Sequence, residues 1–308
     1  MNRLQNIKTR ILLRQRGFSM VELIIAMMLG LFLMGALIQI LLSGKQSYTS
    51  VSHLSQLQES GRVAISMIVS DLKRAGYMGG NSDIPNIFGS AGQAAAAMNC
   101  ATADNSWGRM ITQGVSGLND TNAGYACIPN TSYLRGDVLV VRHASPWISG
   151  AFAANQLYLR SSLFEGKVFV GSDEAQPANV VLDLPQSVHD LIANAYYVGN
   201  SGRNCNGQGV PSLFRVRLDT NGQPVAEELL PGIEDFQVQY GVAGQYIDAD
   251  AVADWSQVVT ARIWLLIRSE CTESGFLDNR TYTLGDQNYT PNDSYRRQLY
   301  SSVVMFRN

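Results

Sequence analysis

The sequence has little proline, few cysteines and no long low-complexity tract. Nine prolines and four cysteines in 308 residues exclude a proline-rich linker and a disulfide-dense miniprotein. The hydrophobic share of 46%, against 16% charged residues, excludes a disordered tail. The chain is therefore expected to fold around a substantial core.

Acidic residues are missing from the first 17 positions, which carry five cations. These are Arg3, Lys8, Arg10, Arg14 and Arg16. The rest of the chain has 18 basic and 25 acidic residues, a formal net charge of −7. Such a body is poorly suited to neutralising phosphates over a broad surface, so a nucleic acid is not the expected partner.

An apolar run at residues 23–42 contains a single distinctly polar residue, Gln39. Twenty helical residues rise about 30 Å, the thickness of a bilayer's hydrocarbon core. The run is longer than a signal-peptide core and no A-x-A cleavage site follows it. It predicts one membrane-spanning helix, with the basic residues 1–17 in the cytoplasm and the remainder on the outer side.

Glu22 stands directly before this apolar run and needs an explanation, because a lone carboxylate is costly to desolvate. One interpretation is an interfacial glutamate attracted to the positive end of the helix dipole. The other is cleavage after Gly17, which creates an amine at Phe18 that can pair with Glu22 of the same or an adjacent subunit.

Residues 16–23, Arg-Gly-Phe-Ser-Met-Val-Glu-Leu, resemble a class III signal of type IV prepilins. The resemblance implies cleavage between Gly17 and Phe18 by the prepilin peptidase, followed by N-methylation of Phe18. It also implies that the apolar helix is retained and that Glu22 acts in the assembly and register of subunits.

Residues 43–77 read as an amphipathic continuation of the helix, ended by glycines near position 80. The predicted buried stripe is Val51, Leu54, Gln58, Gly61, Ile65, Ile68, Leu72 and Ala75. The expected organisation is a cleaved leader at 1–17, a membrane and filament-core helix at 18–42, the continuation at 43–80 and a β-rich globular body at 81–308.

The body begins with an irregular stretch at 81–136, rich in small and polar residues, and then shows repeated strand patterns. Predicted strands are 138–141, 157–159, 168–170, 195–198, 213–218, 236–240, 258–267 and 299–306. Turn signals at 221–222 and 231–232 separate them and favour antiparallel pairing. The fold class is therefore α+β.

Residues 59–64, 70–77, 230–241, 261–268 and 295–308 resemble minor pilins of the PilW type. The resemblance implies a pilin fold, in which a long amino-terminal helix packs by its outer half on an antiparallel sheet. It implies a subunit held in the inner membrane with a periplasmic body, which then enters a pilus filament at the cell surface.

The same resemblance implies roles in initiating pilus assembly and at the filament tip, and hence in twitching motility and adhesion. Implied partners are other minor pilins, the major pilin, the prepilin peptidase, the inner-membrane assembly platform and a large tip adhesin. Two alternatives stay open. One is a J-like pseudopilin of type II secretion, and the other is a tip adhesin that uses residues 81–136 for binding.

The four cysteines form no C-x-x-C motif, and the three histidines are remote in sequence, so a zinc site is poorly supported. Export to an oxidising compartment favours two disulfides. Of the three possible connectivities, proximity in sequence favours Cys100–Cys127 and Cys205–Cys271.

Three aspartates, Asp248, Asp250 and Asp254, form the one sequence pattern that suggests a metal. The run lacks the glycine and the bidentate glutamate of an EF-hand loop, so a solvated acidic turn is preferred to a calcium site. No nucleophile elbow, phosphate-binding loop or dinucleotide motif occurs. No catalytic residue, cofactor or enzymatic activity is predicted.

Overall fold

The computed structural model describes residues 17–90, 100, 107–173 and 185–306. Most of the predicted leader, and residues 91–99 and 101–106 of the 81–136 stretch, lie outside the described residues. The chain divides into two compact units, Met1–Ser52 and His53–Asn308. The first unit holds the apolar part of the helix, and the second holds its outer part together with the β-sheets.

Helix α1 spans Met20–Leu72 and ends five residues before the predicted end at position 77. After it, the amides of Arg74 and Ala75 bond carbonyls three residues back, so the last turn tightens. Gly76 then adopts a φ of 75° and donates its N–H to the Arg142 carbonyl. The helix ends there because this amide pairs with a strand instead of continuing the helical ladder.

The strands pair into three sheets in the described part of the chain. They are β1 Ile87–Phe88, β2 Val115–Leu118, β3 Tyr133–Ile148, β4 Leu157–Ser161, β5 Gly166–Val170, β6 Ser187–Cys205, β7 Gln208–Leu218, β8 Pro224–Pro231, β9 Ile233–Val242, β10 Gln245–Ile247, β11 Thr260–Arg268, β12 Tyr282–Leu284, β13 Gln287–Tyr289 and β14 Arg297–Met305. Each of the eight predicted strand segments overlaps one of these elements.

The large sheet has the order β1-β5-β4-β6-β3-β2, and β7 and β8 extend it beside the second half of β6. A second sheet has the order β10-β9-β11-β14, and β12 pairs with β13 in a small ribbon. Pairing is antiparallel apart from the short β1–β5 contact, which is parallel. The predicted turn at 221–222 joins β7 to β8 through a longer loop, in which Asp219 accepts hydrogen bonds from the amides of Asn221 and Gln223.

The main core lies between the outer part of α1 and the inner faces of the two larger sheets. The helix contributes Leu57, Gly61, Ala64, Ile68 and Leu72 as buried residues. The predicted stripe is therefore right at its carboxyl-terminal end but wrong at its start. Val51 and Leu54 are exposed, because the buried face runs through positions 57 and 64 instead of 54 and 58.

A second core covers the opposite face of the large sheet. Val138 and Val140 point to this side, whereas Leu139 and Val141 face the main core. Trp107, Tyr125 and Ile128 from the irregular stretch close the second core. The 81–136 stretch thus contributes buried aromatic residues and is not only a surface loop.

Candidate functional site

The predicted cleavage region lies at the start of α1. Gly17 and Phe18 precede the helix in an exposed segment without regular secondary structure, and 82% of Phe18 is accessible. Ser19 caps the helix, because its Oγ accepts the Glu22 amide at 3.2 Å and its carbonyl accepts the Leu23 amide. Glu22 therefore occupies the first turn, where a carboxylate is favoured by the helix dipole.

The apolar segment that follows is exposed on all its sides within its own unit. Every residue from position 20 to 48 is accessible, including the leucines, isoleucines, methionines and Phe32. The segment is long and apolar enough to cross a membrane. A helix that is hydrophobic all round requires an apolar environment such as lipid or other helices.

A buried carboxylate, Asp71, anchors the end of α1 to the large sheet. Its Oδ1 accepts a hydrogen bond from His143 Nε2 at 2.8 Å, and its Oδ2 accepts from Asn194 Nδ2 and Tyr196 Oη, both at 2.9 Å. His143 lies on β3, and Asn194 and Tyr196 lie on β6. Burial alone would raise the pKa of Asp71, but these bonds and the charge on His143 hold it below its usual value.

Both ring nitrogens of His143 face acceptors. Its Nδ1 lies 2.8 Å from the Ala144 carbonyl and its Nε2 lies 2.8 Å from Asp71. The sequence does not predict this pair. Its one sequence signal is that Asp71 lies beside the apolar Leu72 on the helix, because a carboxylate that is buried with an apolar neighbour needs a hydrogen-bonding partner.

An open groove of about 1100 Å³ runs beside this helix segment in the second unit. Charged side chains line it, including Glu59, Arg62, Arg74 and Arg215. Arg215 is held by Glu227 on β8, so it is paired, whereas the helix residues Glu59 and Arg62 are exposed. The groove is polar and open, which suits a protein surface better than a small apolar ligand.

The structure joins Cys100 to Cys127 and Cys205 to Cys271, the two pairings favoured from the sequence. The first pair lies in the second core and closes a sequence separation of 27 residues. The second pair closes a separation of 66 residues. It links the end of β6, a strand of the large sheet, to the segment that follows β11, a strand of the second sheet.

The three aspartates of the D-x-D-x-x-x-D run do not act together. Asp254 accepts the Ser256 amide at 3.0 Å as the cap of a 3₁₀ turn, and Asp250 is exposed. Asp248 accepts from Gln239 Nε2 at 2.9 Å. Within the described ranges, no three acidic, cysteine or histidine side chains already surround one point as metal ligands.

Comparison with known proteins gives two matches by family and one by structure. The model of "Type IV Pilus-assembly protein W" matches residues 195–308, and the "Prokaryotic N-terminal methylation motif" matches residues 12–38. Among solved structures, the chain is similar to a type IV-like pilin from Thermus thermophilus. Their identity is 12% and the TM-score is 0.37, over 81% of this chain and 96% of that chain. No curated protein matches.

A methylation motif on an exposed apolar helix, followed by a β-sheet body, indicates a subunit of the type IV pilin class. The match of residues 195–308 to the pilus-assembly protein W indicates, more specifically, a type IV pilus minor pilin of the PilW type. This confirms the resemblance read from the sequence and the α+β fold class. The matched family consists of structural pilin subunits. The methylation motif and the apolar helix of this chain indicate membrane anchoring and incorporation into a pilus.

Proposed function

We propose that this minor pilin acts in the initiation of pilus assembly and occupies the filament tip, where it contributes to twitching motility and adhesion. It joins other minor pilins, meets the major pilin below it and supports a large tip adhesin. Before assembly it is held in the inner membrane by one helix, with its body in the periplasm, close to the assembly platform. The family match to a pilus-assembly protein supports this role.

Processing by the prepilin peptidase is part of the proposal. Cleavage between Gly17 and Phe18 falls in the exposed segment that precedes the helix, where a peptidase has access to the backbone. The new amine at Phe18, once methylated, keeps its positive charge. The motif match across residues 12–38 supports this processing.

The observation that carries the proposal is the contrast between the apolar segment at 23–42 and the single carboxylate, Glu22. Moving the segment from lipid into a bundle of neighbouring helices exchanges one apolar environment for another, so the hydrophobic free energy changes little. The carboxylate is different, because an unpaired charge in an apolar bundle is costly. Pairing Glu22 with a Phe18 amine therefore favours one register of subunits.

Substitution of Glu22 tests this mechanism. The variant Glu22→Ala should be cleaved after Gly17 and held in the membrane, but its amount in sheared pili should fall at least tenfold. Gln39→Ala is the matched control, since it removes the one polar side chain inside the apolar run and leaves Glu22 intact. Normal incorporation of Glu22→Ala would refute the pairing mechanism.

A strain that lacks this protein tests whether the protein belongs to a type IV pilus or to a type II secretion system. Loss of surface pili and of twitching, with normal release of exoproteins, supports the pilus role. The reverse result would make the protein a pseudopilin of type II secretion. Normal pilus numbers with lost surface attachment would instead favour an adhesin function for the body.

A further inference from the structure

Strand β14 lies at the end of the second sheet and pairs on one side, with β11. At the two ends of this ladder, the Phe306 amide donates to the Val259 carbonyl and the Ser269 amide donates to the Arg296 carbonyl. Bonded positions alternate along an antiparallel pair, so the even-numbered residues of β14 bond β11 and the odd-numbered ones direct their N–H and C=O groups away from it. We call the outward backbone groups of four of these residues the β14 edge: Leu299, Ser301, Val303 and Met305.

The β14 edge lacks the features that normally prevent a free strand from pairing with another chain. Such features are prolines, charged side chains, bulges and short length. β14 is nine residues long, and its stretch 299–305 contains no proline and no charged residue. Ser301, Val303 and Met305 are exposed, so an incoming strand has access to their backbone.

The other terminal strands of the two larger sheets are protected. β1, β2 and β10 have only two, four and three residues. β8 has eight residues, but it begins and ends with proline and carries Glu227 and Glu228. Among the strands in the described part of the chain, β14 is therefore the terminal strand whose long edge is left open for pairing.

The groove beside α1 lies on the free side of β14. Gln298 and Tyr300 of β14 line this groove, whereas none of the described residues that line it belongs to β11 or β9. The helix supplies most of its lining, and Tyr196 and Arg215 of the large sheet lie across from β14. A strand added to the β14 edge would thus occupy a groove of about 1100 Å³ that is already open.

The groove carries unpaired positive charge. Arg62 and Arg74 of α1 are exposed in it, and neither forms an ion pair with a described residue. Glu59 is the one exposed carboxylate among the described lining residues, and Arg215 is already paired with Glu227. A segment with carboxylate side chains on the face that meets α1 would complement the two free arginines.

We propose that the β14 edge binds an extended segment of another minor pilin, which adds a strand to the second sheet and directs carboxylates towards Arg62 and Arg74. Backbone hydrogen bonds to the β14 edge give affinity, and the two arginines favour an acidic segment. This inference rests on the proposed function, because the partner is sought among the minor pilins that assemble with this one.

A second copy of this chain fits the groove less well. Its own β14 is uncharged over 299–305, so it would leave the two arginines of the groove without counter-charges. The carboxylates of its β8, Glu227 and Glu228, are already paired with arginines of β7 and β6. The expected partner is therefore a different subunit.

Proline at position 303 tests the edge. Val303→Pro removes an outward N–H and puts the proline ring where an added strand would bond, while the bonds to β11 stay intact. The full chain is co-expressed with the other minor pilins of the same pilus and purified in detergent. Val303→Pro should recover at least tenfold less of these minor pilins than the unaltered chain does.

The matched control is Ala226→Pro on the free edge of β8. The Asp219 amide donates to the Gln223 carbonyl, so the alternation along this ladder directs the Ala226 N–H away from β7. Ala226→Pro should recover the minor pilins as the unaltered chain does. Melting temperatures verify that the variants fold. Val303→Lys, which keeps the backbone and adds a charge to the exposed edge, should show the same tenfold loss and replaces the proline variant if that one does not fold.

Charge reversal tests the contribution of the groove. Arg62→Glu/Arg74→Glu should also lower the recovery of minor pilins at least tenfold, because it repels an acidic segment. Lys73→Glu changes an exposed cation that lies on the same part of the chain but does not line the groove, so recovery should stay unchanged.

Amide hydrogen exchange, resolved by residue, distinguishes strand addition from another kind of contact. In the free chain, the outward amides of Ser301 and Val303 should exchange fast, and those of Ser302 and Val304, which bond β11, should exchange slowly. In the complex, exchange at Ser301 and Val303 should slow at least tenfold.

Unchanged exchange at Ser301 and Val303 in the complex, or full recovery of minor pilins by folded Val303→Lys, would overturn strand addition. Complexes that contain only copies of this chain would overturn the choice of partner. If a strain without the protein loses its pili while Val303→Pro still recovers the minor pilins, this inference fails and the proposed function stands. If that strain keeps its pili, the proposed function fails, whatever binds the edge.

Discussion

Asp71 at the end of α1 forms a buried ion pair with His143 on β3, with 2.8 Å between Oδ1 and Nε2. The pair lies where the helix leaves its main core, and its carboxylate is also bound by Asn194 and Tyr196 of β6. These bonds attach the end of α1 to the large sheet with a defined geometry.

Replacing Asp71 by asparagine should destabilise the body strongly. The variant removes the carboxylate from a buried, hydrogen-bonded pair, and loss of one partner of such a pair typically costs about 3–5 kcal/mol. The free energy of unfolding, measured with urea on the full chain in detergent, gives the cost. Lys73→Gln, an exposed change two residues further along, should alter it little.

The Asp71 prediction also has a pH signature. Because its pKa is lowered in the folded state, its contribution to stability is complete above the ordinary value of 3.8 and is lost as the pH falls below that value. The stability difference between the unaltered chain and Asp71→Asn should therefore be largest near neutral pH and should shrink in acid below the ordinary value. A difference that grows in acid would contradict the ion pair.

Gly61 should be intolerant of alanine. A Cβ at this position would overlap the ring of Tyr300 on β14, so the helix or the ring would have to move. Overpacking of this kind costs about 1–3 kcal/mol, measurable as a lower melting temperature. In a Tyr300→Ala background, Gly61→Ala should cost much less.

The matched control for this prediction is Gly44→Ala in the same helix. No described atom lies within 4 Å of a Cβ at Gly44. Alanine there should leave the body's melting temperature unchanged and can favour the helix by up to about 1 kcal/mol. Equal losses at the two glycines would contradict the role of the Tyr300 contact, because helix propensity favours alanine at both positions.

The disulfide Cys205–Cys271 should stabilise the body by linking its two larger sheets. The double variant Cys205→Ser/Cys271→Ser is expected to lower the free energy of unfolding by about 2–5 kcal/mol, the usual cost of removing a native disulfide. Urea unfolding of the oxidised chain and of the variant measures the difference. Identical midpoints would show that the linkage adds nothing to the folded state.

The strands and the helix could be predicted because their signals are local. Apolar and polar residues alternate in 236–240 and 214–218, and this pattern predicts the strands β9 and β7. The apolar run at 23–42 predicts the first part of the helix α1. Gln237 is buried although it alternates with apolar residues in β9, and its amide donates to Asp120 and Asp235.

The Asp71–His143 pair could not be predicted, because it depends on a contact between distant parts of the chain. Asp71 and His143 are 72 positions apart. The packing of the helix on the sheet, and not local spacing, brings them together.

The central claim is that the chain is processed to begin at a methylated Phe18 and is then incorporated into a pilus. Mass spectrometry of the amino-terminal peptide, taken from protein recovered in sheared pili, tests it most directly. We expect a peptide that begins with N-methylated Phe18 and includes Glu22. A peptide that retains Gly17 and the leader, or that begins at any other residue, would contradict the claim.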